Sequence, residues 1–74
     1  MRITWQRDTD MAYLYLKEHL NSGEVAQTVI CDDDALSGMV NIDLDSSGRI
    51  VGIEVSCASA VLPSELLGAT ETEG

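Results

Sequence analysis

The sequence predicts a mainly β fold with a small helical part (α+β): an antiparallel β-meander of four or five strands closed by a short C-terminal helix. Three observations predict it. Val40 to Leu44 and Val51 to Cys57 each alternate apolar residues with others, and they flank Ser46-Ser47-Gly48, the pattern of a β-hairpin. Both runs are rich in β-branched residues, which suit a pleated, half-buried surface. After Cys57 the alternation stops, and Pro63 stands where the first turn of a helix accepts proline, with Gly68 to end it.

Taken in order, Arg2 to Gln6 reads as a strand with Ile3 and Trp5 on one face, followed by a turn at Asp8-Thr9-Asp10. Met11 to Leu20 supports two readings. A helix would use Asp8 or Asp10 as its cap and align Ala12, Leu16 and Leu20 at i, i+4 and i+8. A strand would put Ala12, Leu14 and Leu16 on one face and Met11, Tyr13 and Tyr15 on the other. Propensity leans to the helix and the alternating tyrosines to the strand, so the pattern alone is even. Asn21-Ser22-Gly23 is a turn, and Glu24 to Cys31 is a strand. Asp32-Asp33-Asp34 belongs in a solvated turn, because three like charges in a core would be costly. Strands over Met39 to Asp45 and Arg49 to Cys57 make the hairpin, and Pro63 to Leu67 the helix. The domain spans residues 1–68, and 69–74 is expected to fray as an acidic tail.

Pairing Leu44 with Val51, Ile42 with Ile53 and Val40 with Val55 puts all of these apolar residues on one face. It also gives Gly48 the positive φ of a tight turn. Ile42 and Ile53 are then structural residues of the hairpin. A three-residue loop would slip the register by one, setting Leu44 opposite Ile50 and Ile42 opposite Gly52, which mixes polar and apolar partners. Gly52 inside a strand points to a bulge or to a close approach by another backbone.

The same letters approach a calcium loop, with Asp43, Asp45, Ser47, Gly48 and Glu54 at its first, third, fifth, sixth and twelfth positions. The flanks exclude it. Such a loop joins two helices, and its last carboxylate folds back onto the ion. Here both flanks have period two, and a strand would carry Glu54 roughly 20 Å from the turn at about 3.3 Å per residue. No metal site is expected.

With 74 residues there is room for one thin core, and a chain this small often gains a second copy or a partner to bury more surface. Thirteen acidic side chains against four basic give a net charge of −9, which repels phosphate backbones and anionic headgroups. No nucleic acid and no membrane are expected as partners. A basic protein partner would suit the charge, and Asp32, Asp33, Asp34, Asp43, Asp45 and Glu54 are the candidate functional surface. The opening residues lack the apolar core of a secretory signal, so a cytoplasmic location is expected. Cys31, Cys57 and His19 fall at no zinc or redox spacing and are read as an ordinary imidazole and free thiols.

An enzyme would have to work through Asp8, Asp10, Asp43, Asp45 and Glu54, as paired carboxylates can when a pocket separates their pKa values. Asp8 and Asp10 are better used capping turns. Glu54, an acid in mid-strand, is expected to pair with Arg2, Arg7 or Lys17. No nucleophile stands in a pattern with His19, so neither catalytic residues nor cofactors are assigned.

Ile3-x-Trp5 with Asp8-x-Asp10-Met11-Ala12-Tyr13-Leu14-x-Leu16, then Val40-x-Ile42-Asp43-x-Asp45-x-x-Gly48-x-Ile50-Val51-Gly52-Ile53-Glu54-Val55, and last Ala58-Ser59-x-x-Leu62-Pro63-x-Glu65-Leu66, carry a family resemblance. They resemble the short prokaryotic proteins grouped as domain of unknown function 2283. Trp5 stands where that family more usually has tyrosine, and Asp32 to Ser37 is longer than its typical turn. The resemblance implies a β-meander with a short C-terminal helix and so tips Met11 to Leu16 toward strand. It carries over no catalytic residue. Members encoded beside small toxin-like proteins imply a partner-binding, antitoxin-like role. The expected function is thus a non-enzymatic interaction module, either homo-oligomeric or bound to a basic partner. A carboxylate enzyme and a thiol or metal sensor are the alternatives.

Overall fold

The computed structural model describes residues 1–69 and 71–72. β1 (Arg2–Gln6) and β2 (Met11–Tyr15) form one hairpin, and β3 (Gln27–Cys31), β4 (Val40–Leu44) and β5 (Ile50–Val55) form a three-stranded meander. Short helices α1 (Ala58–Val61) and α2 (Ser64–Gly68) follow, then the two-residue strand β6 (Glu71–Thr72). The antiparallel sheet is the predicted one, but its order is β3-β4-β5-β2-β1-β6. Chain order breaks twice: β2 docks on β5, which joins the first hairpin to the meander along a central seam, and β6 lies beside β1.

Met11 to Tyr15 is strand, which resolves the even choice for that segment. Pairing on both sides, with β1 and β5, decides it: Ala12 is buried beneath the helices, and Tyr13 and Tyr15 stand on the opposite face. Asn21-Ser22-Gly23 tightens into a 3-10 turn at Ser22–Glu24, where the Glu24 carboxylate accepts from the Asn21 N–H at 3.2 Å. The C-terminal region holds two helices where one was expected, because Ala58 to Val61 also winds into a turn of helix before Pro63. Of the segment expected to fray, Glu71–Thr72 pairs in parallel with Thr4 and Trp5, while residues 70, 73 and 74 lie outside the described residues.

Val40 faces Val55 and Ile42 faces Ile53 as predicted, but Leu44 faces Ile50 and not Val51. The cause is the turn. Asp45 Oδ1 accepts from the Ser47 N–H (2.9 Å), the Ser47 hydroxyl (2.6 Å) and the Arg49 N–H (3.0 Å), while Gly48 takes φ +84°. This loop is longer than the tight turn, and the slip it introduces is absorbed between Asp43 and Leu44, leaving Val51 as the extra residue of a bulge. Both registers considered for the hairpin therefore occur, one on each side of the bulge.

The core is one-sided along the sheet. Ala12, Val55, Ala58 and Leu67 form the buried cluster, with Trp5, Leu14, Ile53, Val61 and Leu62 packed around it. The helices thus cover β1, β2 and β5. β4 is half-buried throughout, Ile42 included, and β3 is exposed from Gln27 to Ile30.

Candidate functional site

Asp10 fastens the helices to the sheet. At the β1–β2 turn its backbone takes the left-handed region (φ 56°), where aspartate is among the more tolerated residues. Its carboxylate then reaches three donors: the Trp5 indole (3.0 Å), the Ser59 N–H (3.1 Å) and the Ser59 hydroxyl (2.6 Å). The Asp10 carbonyl accepts from the Ala58 N–H at 2.9 Å. The Ser59 hydroxyl first and the indole next hold the carboxyl below its ordinary range. Asp8 caps the same turn at the Thr9 N–H.

On the opposite, uncovered face, cross-strand neighbours build a polar row. Thr28 donates to Asp43 Oδ1 at 2.7 Å, and the Tyr13 hydroxyl donates to Asp43 Oδ2 at 2.5 Å. Tyr13 reaches Asp43 by lying across Gly52. A Cβ at that position would come within 2.6 Å of Tyr13 Cζ. Gly52 therefore adjoins a bulge, as its place in the strand suggested, and what approaches it is a tyrosine ring and not a backbone. Burial, followed by the bond to Asp43, pushes the Tyr13 hydroxyl well above the usual tyrosine range. Tyr13 and Tyr15 rings lie 4.7 Å apart, and the Arg2 guanidinium sits 4.0 Å over Tyr15. Beside them a shallow concavity is lined by Thr4, Gln6, Met11, Tyr13, Tyr15 and Glu54.

Glu54 has none of the cationic partners expected for it. It accepts from Asn41 Nδ2 at 3.2 Å, while Lys17 pairs with Glu24 and Arg7 lies over the Trp5 ring. The reason is alternation: Glu54 shares its row with Asn41 and Tyr13, and Arg2 is drawn to Tyr15 instead. Asp43, Asp45 and Glu54 are thus each bonded within the sheet or its turn. They do not meet in one pocket.

The acidic run lies elsewhere. Asp32, Asp33 and Asp34 follow β3 in an exposed turn, where Asp33 caps Ala35 N–H at 2.8 Å and Asp32 and Asp34 have no side-chain partner among the described residues. Exposed apolar side chains flank the run along the chain: Val29 and Ile30 (63% exposed) before it, Leu36 and Met39 after it. Cys31, at the end of β3, and Cys57, just before α1, are free thiols, and His19 is exposed. Among the described residues no three His, Cys, Asp or Glu side chains converge on a metal position. No helix among them is long and apolar enough to cross a membrane.

Comparison with known proteins places this geometry. The family described as "protein of unknown function (DUF2283)" matches residues 2–59. The chain belongs to the DUF2283 family. The match runs from the start of β1 to Ser59, so it contains the polar row, the Asp45 turn and both ends of the Asp10–Ser59 bridge. No curated protein and no solved structure matches the chain.

Three site features were not anticipated from sequence: the Asp10–Ser59 bridge, the Tyr13–Asp43–Thr28 row and the exposure of the apolar residues that flank Asp32 to Asp34. The signal for the last was present, since Val29, Ile30, Leu36 and Met39 all flank the acidic run.

Proposed function

We propose that this chain is a non-enzymatic protein-interaction module whose working surface is the uncovered end of the sheet, β3 with the turn leading to β4. The observation that carries the reading is the segregation of covered and bare surface. Helices α1 and α2 cover β1, β2 and β5, while Val29 and Ile30 on the two faces of β3, and Leu36 and Met39 in the segment before β4, remain exposed. An edge strand that leaves its backbone unpaired and its apolar side chains exposed is open to association with another chain. The carboxylates that an enzyme would need are engaged structurally: Asp10 by Trp5 and Ser59, Asp43 by Tyr13 and Thr28, Asp45 by its own turn.

The module either self-associates or receives a basic protein, for which the unpartnered Asp32 and Asp34 and the net charge of −9 supply attraction. An antitoxin-like role is one form of the second case. The test is native mass spectrometry on the protein captured gently from its source cells. A homomer, or a stoichiometric basic protein whose affinity falls when Asp32, Asp33 and Asp34 are reversed to lysine, supports the reading. A lone monomer overturns it.

A further inference from the structure

We propose that the β3 edge pairs with the β3 edge of a second copy of this chain, antiparallel, about a two-fold axis at Val29. The proposal rests on the interaction reading above and names its partner.

The two edges of the sheet differ. At one, β6 lies against β1; at the other, β3 has no neighbouring strand beyond it among the described residues. An unpaired edge exposes backbone donors and acceptors to any strand that can align with them, and proteins usually blunt such edges with charge, lysine or proline. β3 has none of these. Its residues are Gln27, Thr28, Val29, Ile30 and Cys31, uncharged within a chain of net charge −9. Val29 and Ile30 are exposed on its two faces.

Charge selects the second copy and its direction. A basic partner would gain nothing from a neutral strand, whereas two acidic molecules can approach each other with least repulsion there. Parallel pairing would set the two Asp32–Asp34 runs side by side. Antiparallel pairing sends them to opposite ends, with Asp32 and Asp33 of one copy toward Ala26 and Val25 of the other. Beyond these lies Glu24, whose charge Lys17 already balances.

Strand alternation fixes the axis. Opposed residues in a ladder share a face, so a two-fold axis through the sheet must fall on a residue and not between two. Centring on Val29 uses all five residues of β3. Val29 then faces its own copy, Thr28 faces Ile30, and Gln27 faces Cys31. The Val29 row is the one that holds Ile42, Ile53 and Leu14, so the second copy would extend the apolar row that the helices leave half-covered.

A self-facing residue permits a direct test. Val29→Lys and Val29→Glu place like charges opposite each other in either homodimer and opposite charges in the mixed one. Val29 is exposed, so neither change touches the core, and circular dichroism checks that each variant folds. Native mass spectrometry is expected to read a dimer for the unmodified chain, monomers for each variant alone, and a one-to-one heterodimer on mixing. A monomeric unmodified chain overturns the proposal, as does a dimer that survives in either variant, or a mixture that stays monomeric. A chain that is monomeric when pure but bound stoichiometrically to a basic protein in its source cells would remove this pairing alone and leave the interaction reading in place.

Discussion

Asp10 and Ser59 are 49 residues apart in sequence and share two hydrogen bonds, from the Ser59 N–H and from its hydroxyl. With the indole of Trp5 on the same carboxylate, this bridge ties the first hairpin to the first helix. The hydrophobic contacts beneath, Ala12 against Ala58 and Leu67, depend on that placement.

Asp10→Ala is therefore expected to lower the urea midpoint at neutral pH, and Asp10→Asn to lower it less, because the amide retains one acceptor oxygen. The difference should depend on pH. Asp10 and Asp45 both titrate below the ordinary 3.8, through Ser59 and Trp5 in one case and Ser47 and Arg49 in the other. Their stabilisation is fully present above that value and disappears as the pH falls through the depressed one. Urea titrations at pH 7 and near pH 2 should show the cost of Asp10→Asn shrinking at the acid end.

Tyr13 behaves in the opposite sense. Its hydroxyl ionises above the ordinary tyrosine value of 10.0, so the stability it contributes is complete below that pH and falls as the pH rises toward the raised value. Absorbance at alkaline pH should show one tyrosine resisting ionisation. Replacing Asp43 with Asn should bring that transition down; no change would separate the two groups.

Gly52→Ala should destabilise by about 1–3 kcal/mol, the usual cost of overpacking, because its Cβ would meet the Tyr13 ring. In a Tyr13→Ala background the same change should cost far less. A thermodynamic cycle over the four proteins measures the coupling, and additivity would show that the ring can move aside freely.

At Gly48 nothing lies within reach of a Cβ, so the cost of Gly48→Ala is conformational. The left-handed φ predicts about 1–2 kcal/mol, with Gly48→Asn milder. Because Asp45 is engaged in shaping this turn, millimolar calcium should leave the melting temperature of the unmodified chain unchanged; a rise would indicate a bound ion.

Leu67→Ala is expected to cost about 2–5 kcal/mol, since Leu67 is buried in the cluster beneath the helices. Ile30→Ser should stay within about 0.5 kcal/mol for the monomer although it too truncates a four-carbon side chain, since Ile30 is exposed. Denaturation of the two variants compares the covered and bare ends of the sheet directly.

The hairpin from Val40 to Val55 was legible because alternation and turn chemistry act over neighbouring residues. Its bulge was not, since the turn's demand for Asp45, Ser47 and Arg49 conflicts with pairing Leu44 to Val51, and only the folded geometry resolves that conflict. Met11 to Tyr15 could not be decided locally, because helix propensity and strand alternation nearly cancel there; packing against β5 decides it. The partners of Glu54 and Asp10 were hidden for another reason. Side-chain bonds across many residues depend on which rows the sheet order aligns, and the docking of β2 on β5 is not written in any local pattern.

Trp5 is the chain's only tryptophan, and its indole N–H is bound to the carboxylate that also holds Ser59. The molecule thus carries one fluorophore at the joint between sheet and helices. Its emission should shift to longer wavelength when that joint opens to water, which makes helix undocking visible in the native protein without any attached label.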